Sequence, residues 1–168
     1  SLTLRHLLTH TSGLEWYEWG SGYSNWSEFR SAKNWVDYIL GRNLVHEPGT
    51  VFNYSTGNTH LLSAVLQAAT GMTQEEYCRA HLFDPMGVSE EAHWNTDPQG
   101  IADGGNGLII SPRDAAKFGQ LFLDGGAWRG QQLVPAAWVE ESTALQNPGP
   151  GDATGSYGYQ WWRRTHTT

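Results

Sequence analysis

Among the residues of this chain whose types and spacing suit chemistry, Tyr54-Ser55-Thr56 come first. They end a short extended piece, Val51-Phe52-Asn53-Tyr54, that runs straight into a helical stripe. A tyrosine at such a junction feels the positive end of the helix dipole, which favours its phenolate form. A phenolate near a lysine can serve as a general base or pass protons. Taken alone, the same pattern is an ordinary junction in which Ser55 or Thr56 caps the helix. Asn53-Tyr54-Ser55-Thr56-Gly57 also approaches the Gly-x-Ser-x-Gly nucleophile elbow. Its first glycine is missing and no strand–helix alternation surrounds it, so Ser55 reads as a cap rather than a nucleophile. His6 and His10 stand four apart on an expected helix, a spacing a metal can use, but the glutamate of the zinc-protease pattern is absent and helix packing is the reading taken. Gly104-Gly105-Asn106-Gly107 lacks the lysine of a phosphate loop. Cys78 on a helix reads as inert packing.

The elements that must hold these residues are mostly helical. A short helix spans Leu4 to His10, capped by Thr3 and stopped at Gly13, and an irregular aromatic loop follows over 14–30. A second helix is expected from Ser31 to Leu40. Asn58 to Ala69 carries Leu61, Leu62, Val65 and Leu66 at helical spacing, and Gly71 closes it. Thr73 and Glu76 form a capping-box pattern that opens a helix to about Leu82, broken by Pro85 and Gly87. Residues 88–107 read as loop or irregular strand, and Leu108 to Ile110 as a short strand or an approach to the next helix. Ser111-Pro112-Arg113-Asp114 starts a helix to about Leu123, and another short helix follows Pro135. The stretch 146–156 reads as exposed loop, and Tyr157 to Trp162 as an aromatic strand. The expectation is a mainly α segment with little strand, the rest of its sheet lying outside the sequence.

Composition sets the outer limits. With 168 residues, 39% hydrophobic and 16% charged, the chain can bury a core. A net charge of -7 with no basic run argues against nucleic-acid or anionic-membrane partners. One cysteine excludes an internal disulfide, which fits a reducing compartment without excluding export. No apolar run is long enough to span a bilayer. Trp16, Trp19 and Trp26 cluster with Tyr17 and Tyr23 in a stretch that either lines an apolar cleft or pins a loop to the core. Ser1 in place of methionine and the abrupt end at Thr165-His166-Thr167-Thr168 give both ends the look of cuts.

Five blocks in order resemble the class C β-lactamase and penicillin-binding-protein family of serine hydrolases. They are Leu2 to Leu14; Glu47-Pro48-Gly49-Thr50 with Phe52 to Thr56, similar to that family's Tyr-x-Asn motif; Ala69 to Thr73 with Leu82 to Val88; the glycine turn at 104–107; and Ser111 to Gly119. The resemblance implies an α/β sheet flanked by helices plus a largely helical domain, with the active site between them. It implies acylation of a serine in Ser-x-x-Lys, assisted by the tyrosine, and then hydrolysis by water. Tyr54 would be the proton-transfer residue. Thr56 stands where the family often has asparagine and would hydrogen-bond substrate or the lysine, a departure that leaves esterase or amidase activity open beside β-lactam hydrolysis. Asn106, or the backbone beside it, would touch substrate. No cofactor or metal is implied, and the partner expected is a small-molecule acyl substrate.

Two pieces of that machinery are missing. The only lysines are Lys33 and Lys117, preceded three positions earlier by Arg30 and Asp114, so no Ser-x-x-Lys exists here. No Lys-Thr-Gly or His-x-Gly third motif follows. The expectation is therefore a partial domain over 1–168, inactive as given, with its nucleophile upstream and its third motif downstream. The alternatives are a non-catalytic ligand- or peptide-binding module that uses the tryptophan-rich loop 16–26, and a degenerate relative that keeps the fold without the chemistry. Oligomeric state, exported or cytoplasmic location, and independent folding of the segment are left open by the sequence.

Overall fold

A computed structural model describes residues 1–18, 24–149 and 155–164 of the chain. It is mainly helical with little strand, as the sequence predicts. Helix α1 (Leu4–Leu8) starts at Thr3, whose side chain accepts from the His6 N–H. The single helix expected over 31–40 is two, α2 (Trp26–Ser31) and α3 (Trp35–Leu40). Between them Asn34 adopts an extended conformation and its side chain accepts from the Asp37 N–H, so a cap begins a new helix where periodicity alone suggested continuity.

Helix α4 (Thr56–Thr70) is the spine, closed by Gly71 at φ 69° in the left-handed region that glycine tolerates. Thr73 and Glu76 form the expected capping box ahead of α5 (Gln74–Cys78). The chain then passes through a π-turn (Arg79–Phe83) into α6 (Asp84–Met86). Pro85 lies just past the π-turn without reversing the chain, and Gly87, at φ 64°, ends the helical run. Strands β1 (His93–Trp94) and β2 (Leu108–Ile109) pair antiparallel around the loop between them. Helix α7 (Pro112–Leu123) starts at Ser111 as expected. A hairpin, β3 (Ala127–Trp128) and β4 (Gln131–Gln132), and helix α8 (Ala136–Thr143) follow. The strand expected over 157–162 is a hairpin instead, β5 (Ser156–Tyr157) with β6 (Trp162–Arg163), reversed by Gln160 at φ 61°.

Two apolar clusters hold these elements. Phe29, Trp35, Ile39, Leu7, Trp16 and Leu61 bring α1 to α4 together. Phe83, Met86, Val88, Ala92 and Leu121 join the π-turn to α7. Phe29 and Leu121 are both fully buried, each contributing roughly 1.5–3 kcal/mol by leaving water. Cys78 packs beside the second cluster, and burial pushes its thiol up to about 11, which leaves little reactive thiolate at neutral pH.

Candidate active site

Everything at the candidate site hangs on the first turn of α4. Ser55, extended at φ -148°, is the cap: its hydroxyl accepts from the Asn58 N–H at 3.2 Å, and it is 3% exposed. That is the capping role read from the sequence. Tyr54, just ahead of it, is half-buried. Its ring stacks on Trp162 of β6 (5.6 Å between centroids, 24°) and tilts against His10 (4.6 Å). The approach to Tyr54 is fixed by Asn53, whose N–H donates to the His10 carbonyl at 2.8 Å and whose side-chain amide donates to the Trp16 carbonyl at 2.9 Å.

His10 is not on a helix face with His6. The chain leaves α1 at Leu8, and His10 takes φ 54°, which turns its fully buried ring beneath Tyr54. The Ser55 N–H donates to Nδ1 at 3.3 Å, so the ring's proton is on Nε2, which faces the Tyr157 hydroxyl at 3.1 Å. Burial lowers the His10 pKa to about 3, so this imidazole is neutral. Among the described residues there is no group of acids, histidines or cysteines that could hold a metal ion.

The dipole argument for a Tyr54 phenolate is outweighed here. Burial, and then the charge of Glu18, raise the Tyr54 pKa instead, and the ring is a neutral phenol in this setting. Glu18 was not singled out by its sequence context, yet it is central. Its carboxylate accepts from the Thr56 N–H at 2.8 Å, from the Thr56 hydroxyl and from the Trp16 indole N–H. A carboxylate at the first turn of a 15-residue helix satisfies an orphan N–H and complements the dipole. The Thr56 hydroxyl proton is thereby committed to Glu18, so Thr56 presents only acceptor capacity to any further partner.

The loop bearing Asn106 docks on α4. Thr56, Thr59 and Ser63 share one helix face, and Gly104 and Gly105 lie against it with no room for side chains. A Cβ on Gly104 would sit 2.6 Å from the Thr59 carbonyl oxygen, and one on Gly105 would sit 2.5 Å from the Thr56 methyl. Two buried acids lash the loop down. Asp97 pairs with His60 of α4 at 3.1 Å, and Asp103 pairs with Arg30 of α2 at 2.5 Å. Asn106 is exposed at the tip of this turn. The structure thus brings Thr56 and the 104–107 turn together, with Tyr54 two residues from Thr56. We expect Gly104→Ala to cost about 1–3 kcal/mol by overpacking. Gly119→Ala, with open space around it on α7, should be neutral or stabilising. Denaturant midpoints check both; equal stability of the two variants contradicts the docking.

Trp16 is core, not ligand surface: it is 4% exposed and packs edge-on to Phe29 and against Gly57. Trp26 is 38% exposed with the Arg30 guanidinium over its ring. Trp19, Tyr23 and His166-Thr167-Thr168 lie outside the described residues.

Over residues 1–168 the sequence matches the family described as Beta-lactamase. The chain belongs to the beta-lactamase family. A 6-aminohexanoate-dimer hydrolase from Paenarthrobacter ureafaciens is 29% identical over 119 residues, covering 66% of this chain and 30% of the relative. A lovastatin esterase from Penicillium rubens is 24% identical over 130 residues, covering 74% of this chain and 32% of the relative. In fold the chain matches an octameric penicillin-binding protein homologue from Pyrococcus abyssi with TM-score 0.69 at 22% identity, covering 94% of this chain and 42% of that one. The chain thus spans less than half the length of each of these proteins. No described helix is long and apolar enough to cross a membrane.

Proposed function

We propose that this chain carries the proton-transfer side of an acyl-serine hydrolase acting on the ester, amide or β-lactam-like bond of a small molecule. Tyr54 is the proton-transfer residue, with Thr56 and Asn106 lining the substrate side. The observation that carries this reading is the fixed, half-buried Tyr54 phenol at the head of α4 in a beta-lactamase-family chain. The names of two relatives, an esterase and a dimer hydrolase, support hydrolysis as the reaction class.

In this mechanism the nucleophilic serine and its lysine come from a Ser-x-x-Lys that this sequence does not contain. The lysine ammonium, brought close to Tyr54, draws the phenol toward phenolate. The phenolate takes the serine proton as the serine oxygen attacks the acyl carbon, and passes it to the leaving group as the acyl–serine bond is completed. Water then cleaves the acyl-enzyme. Residues 1–168 alone are a partial domain and do not turn over.

A fluorophosphonate or penicillin probe tests this by intact-mass measurement. The protein that contains this chain together with a Ser-x-x-Lys should be labelled on that serine, and residues 1–168 alone should not. Stoichiometric labelling of 1–168, at Ser55 or any other serine, overturns the assignment.

A further inference from the structure

We infer that His10 is a positioning residue for Tyr54, holding the main chain on both sides of it as well as its ring. The inference rests on the hydrolase reading above and adds a residue that acts through Tyr54 without touching substrate.

Three contacts converge from this one residue. The Asn53 N–H, just ahead of Tyr54, donates to the His10 carbonyl at 2.8 Å. The Ser55 N–H, just after Tyr54, donates to His10 Nδ1 at 3.3 Å. The imidazole itself lies 4.6 Å from the Tyr54 ring between centroids. Trp162, which also stacks on that ring, is 42% exposed, whereas His10 is fully buried, so His10 is the rigid support of the two.

His10 is in turn fixed by its surroundings. Its Nε2 faces the Tyr157 hydroxyl at 3.1 Å, and the Gln160 side-chain amide lies 3.4 Å from the same nitrogen. Its backbone takes φ 54°, a conformation few non-glycine residues adopt and one that persists where neighbouring contacts impose it. Among the described residues, the other non-glycine residues in that region are Arg129 and Gln160, and Gln160 is the neighbour just named. The single lone pair of Nδ1 is spent on the Ser55 N–H, so His10 is no base at this site and its part is geometric.

Acylation by p-nitrophenyl butyrate, in the intact protein that contains this chain, tests the assignment. Leucine keeps the bulk and loses the Nδ1 acceptor, whereas asparagine offers an amide oxygen at the same branch point and tolerates the left-handed region. His10→Leu should lower the acylation rate constant by about 10- to 100-fold, the order expected of ångström-scale misplacement, and leave KM within about threefold. His10→Asn should recover most of that loss. In a Tyr54→Phe background His10→Leu should cost little more, because a residue acting through the Tyr54 hydroxyl loses its effect with it. A wild-type rate in His10→Leu, the full loss repeated in the Tyr54→Phe background, or no recovery in His10→Asn overturns the inference. Should His10→Leu not fold, His10→Gly, which suits φ 54° and also lacks the acceptor, is judged by the same criteria. If Tyr54→Phe acylates at the wild-type rate, or the ester is not turned over, the hydrolase reading is what fails, and ring placement then decides for His10. NMR contacts between the Tyr54 and Trp162 rings should persist in His10→Asn and be lost in His10→Leu; their persistence in His10→Leu overturns it.

Discussion

Tyr54→Phe in the intact enzyme is expected to slow acylation by about 10²–10⁴-fold, the range a positioned proton-transfer group contributes. The prediction separates chemistry from packing. Phenylalanine keeps the ring that stacks on Trp162 and tilts against His10, so the head of α4 stays formed. Only the hydroxyl goes. Stability should change by no more than about 1 kcal/mol, the typical net worth of one hydrogen bond. Pre-steady-state bursts with a chromogenic ester measure the rate, and denaturant titration measures the fold. A variant that acylates near the wild-type rate would remove Tyr54 from the mechanism, whatever its stability.

The second large effect is acid lability seated at His10. Its folded pKa is lowered by burial from 6.5 to about 3. A depressed pKa means that the unfolded chain binds a proton which the folded chain refuses. The stability contributed is complete above pH 6.5 and is lost as pH falls toward 3. The slope is about 1.4 kcal/mol per pH unit for one proton, so on the order of 3 kcal/mol disappears between pH 6.5 and 4.5. His60, whose pKa burial also lowers against the pull of Asp97, acts in the same direction. Imidazole NMR assigns the share: His10 should stay neutral in the folded protein at pH 4.5. A His10 that titrates near 6.5 would refute the claim. Protonation at Nδ1 would also remove the acceptor of the Ser55 N–H, so the proton is taken up only as the packing beside Tyr54 opens.

Local, periodic features were legible in the sequence. Helix α4 followed from Leu61, Leu62, Val65 and Leu66, and α7 from Ser111-Pro112 with Asp114, because each signal lies within a turn or two of what it specifies. The split between α2 and α3 was not, since Asn34 reads as one more polar residue until its side chain is seen capping Asp37. Glu18 escaped for a different reason. Its partner Thr56 is 38 residues away, and a polar pairing over that distance leaves no periodic trace. The same holds for Arg30 and Asp103, 73 residues apart. His10 was seen, but an assumed helix placed it on the face of His6, and one left-handed residue moved it under Tyr54.

The two separate apolar clusters bear on how such a chain can change. Trp16, Phe29 and Leu61 support the head of α4, while Phe83, Met86 and Leu121 form a second reserve that shares none of those side chains. Substitutions that share no partners add in their effects on stability. A lineage could therefore strengthen the second cluster first and then draw on that margin while loosening the loops around Tyr54 for a new substrate. Separate cores make this chain well suited to divergence in activity without loss of fold.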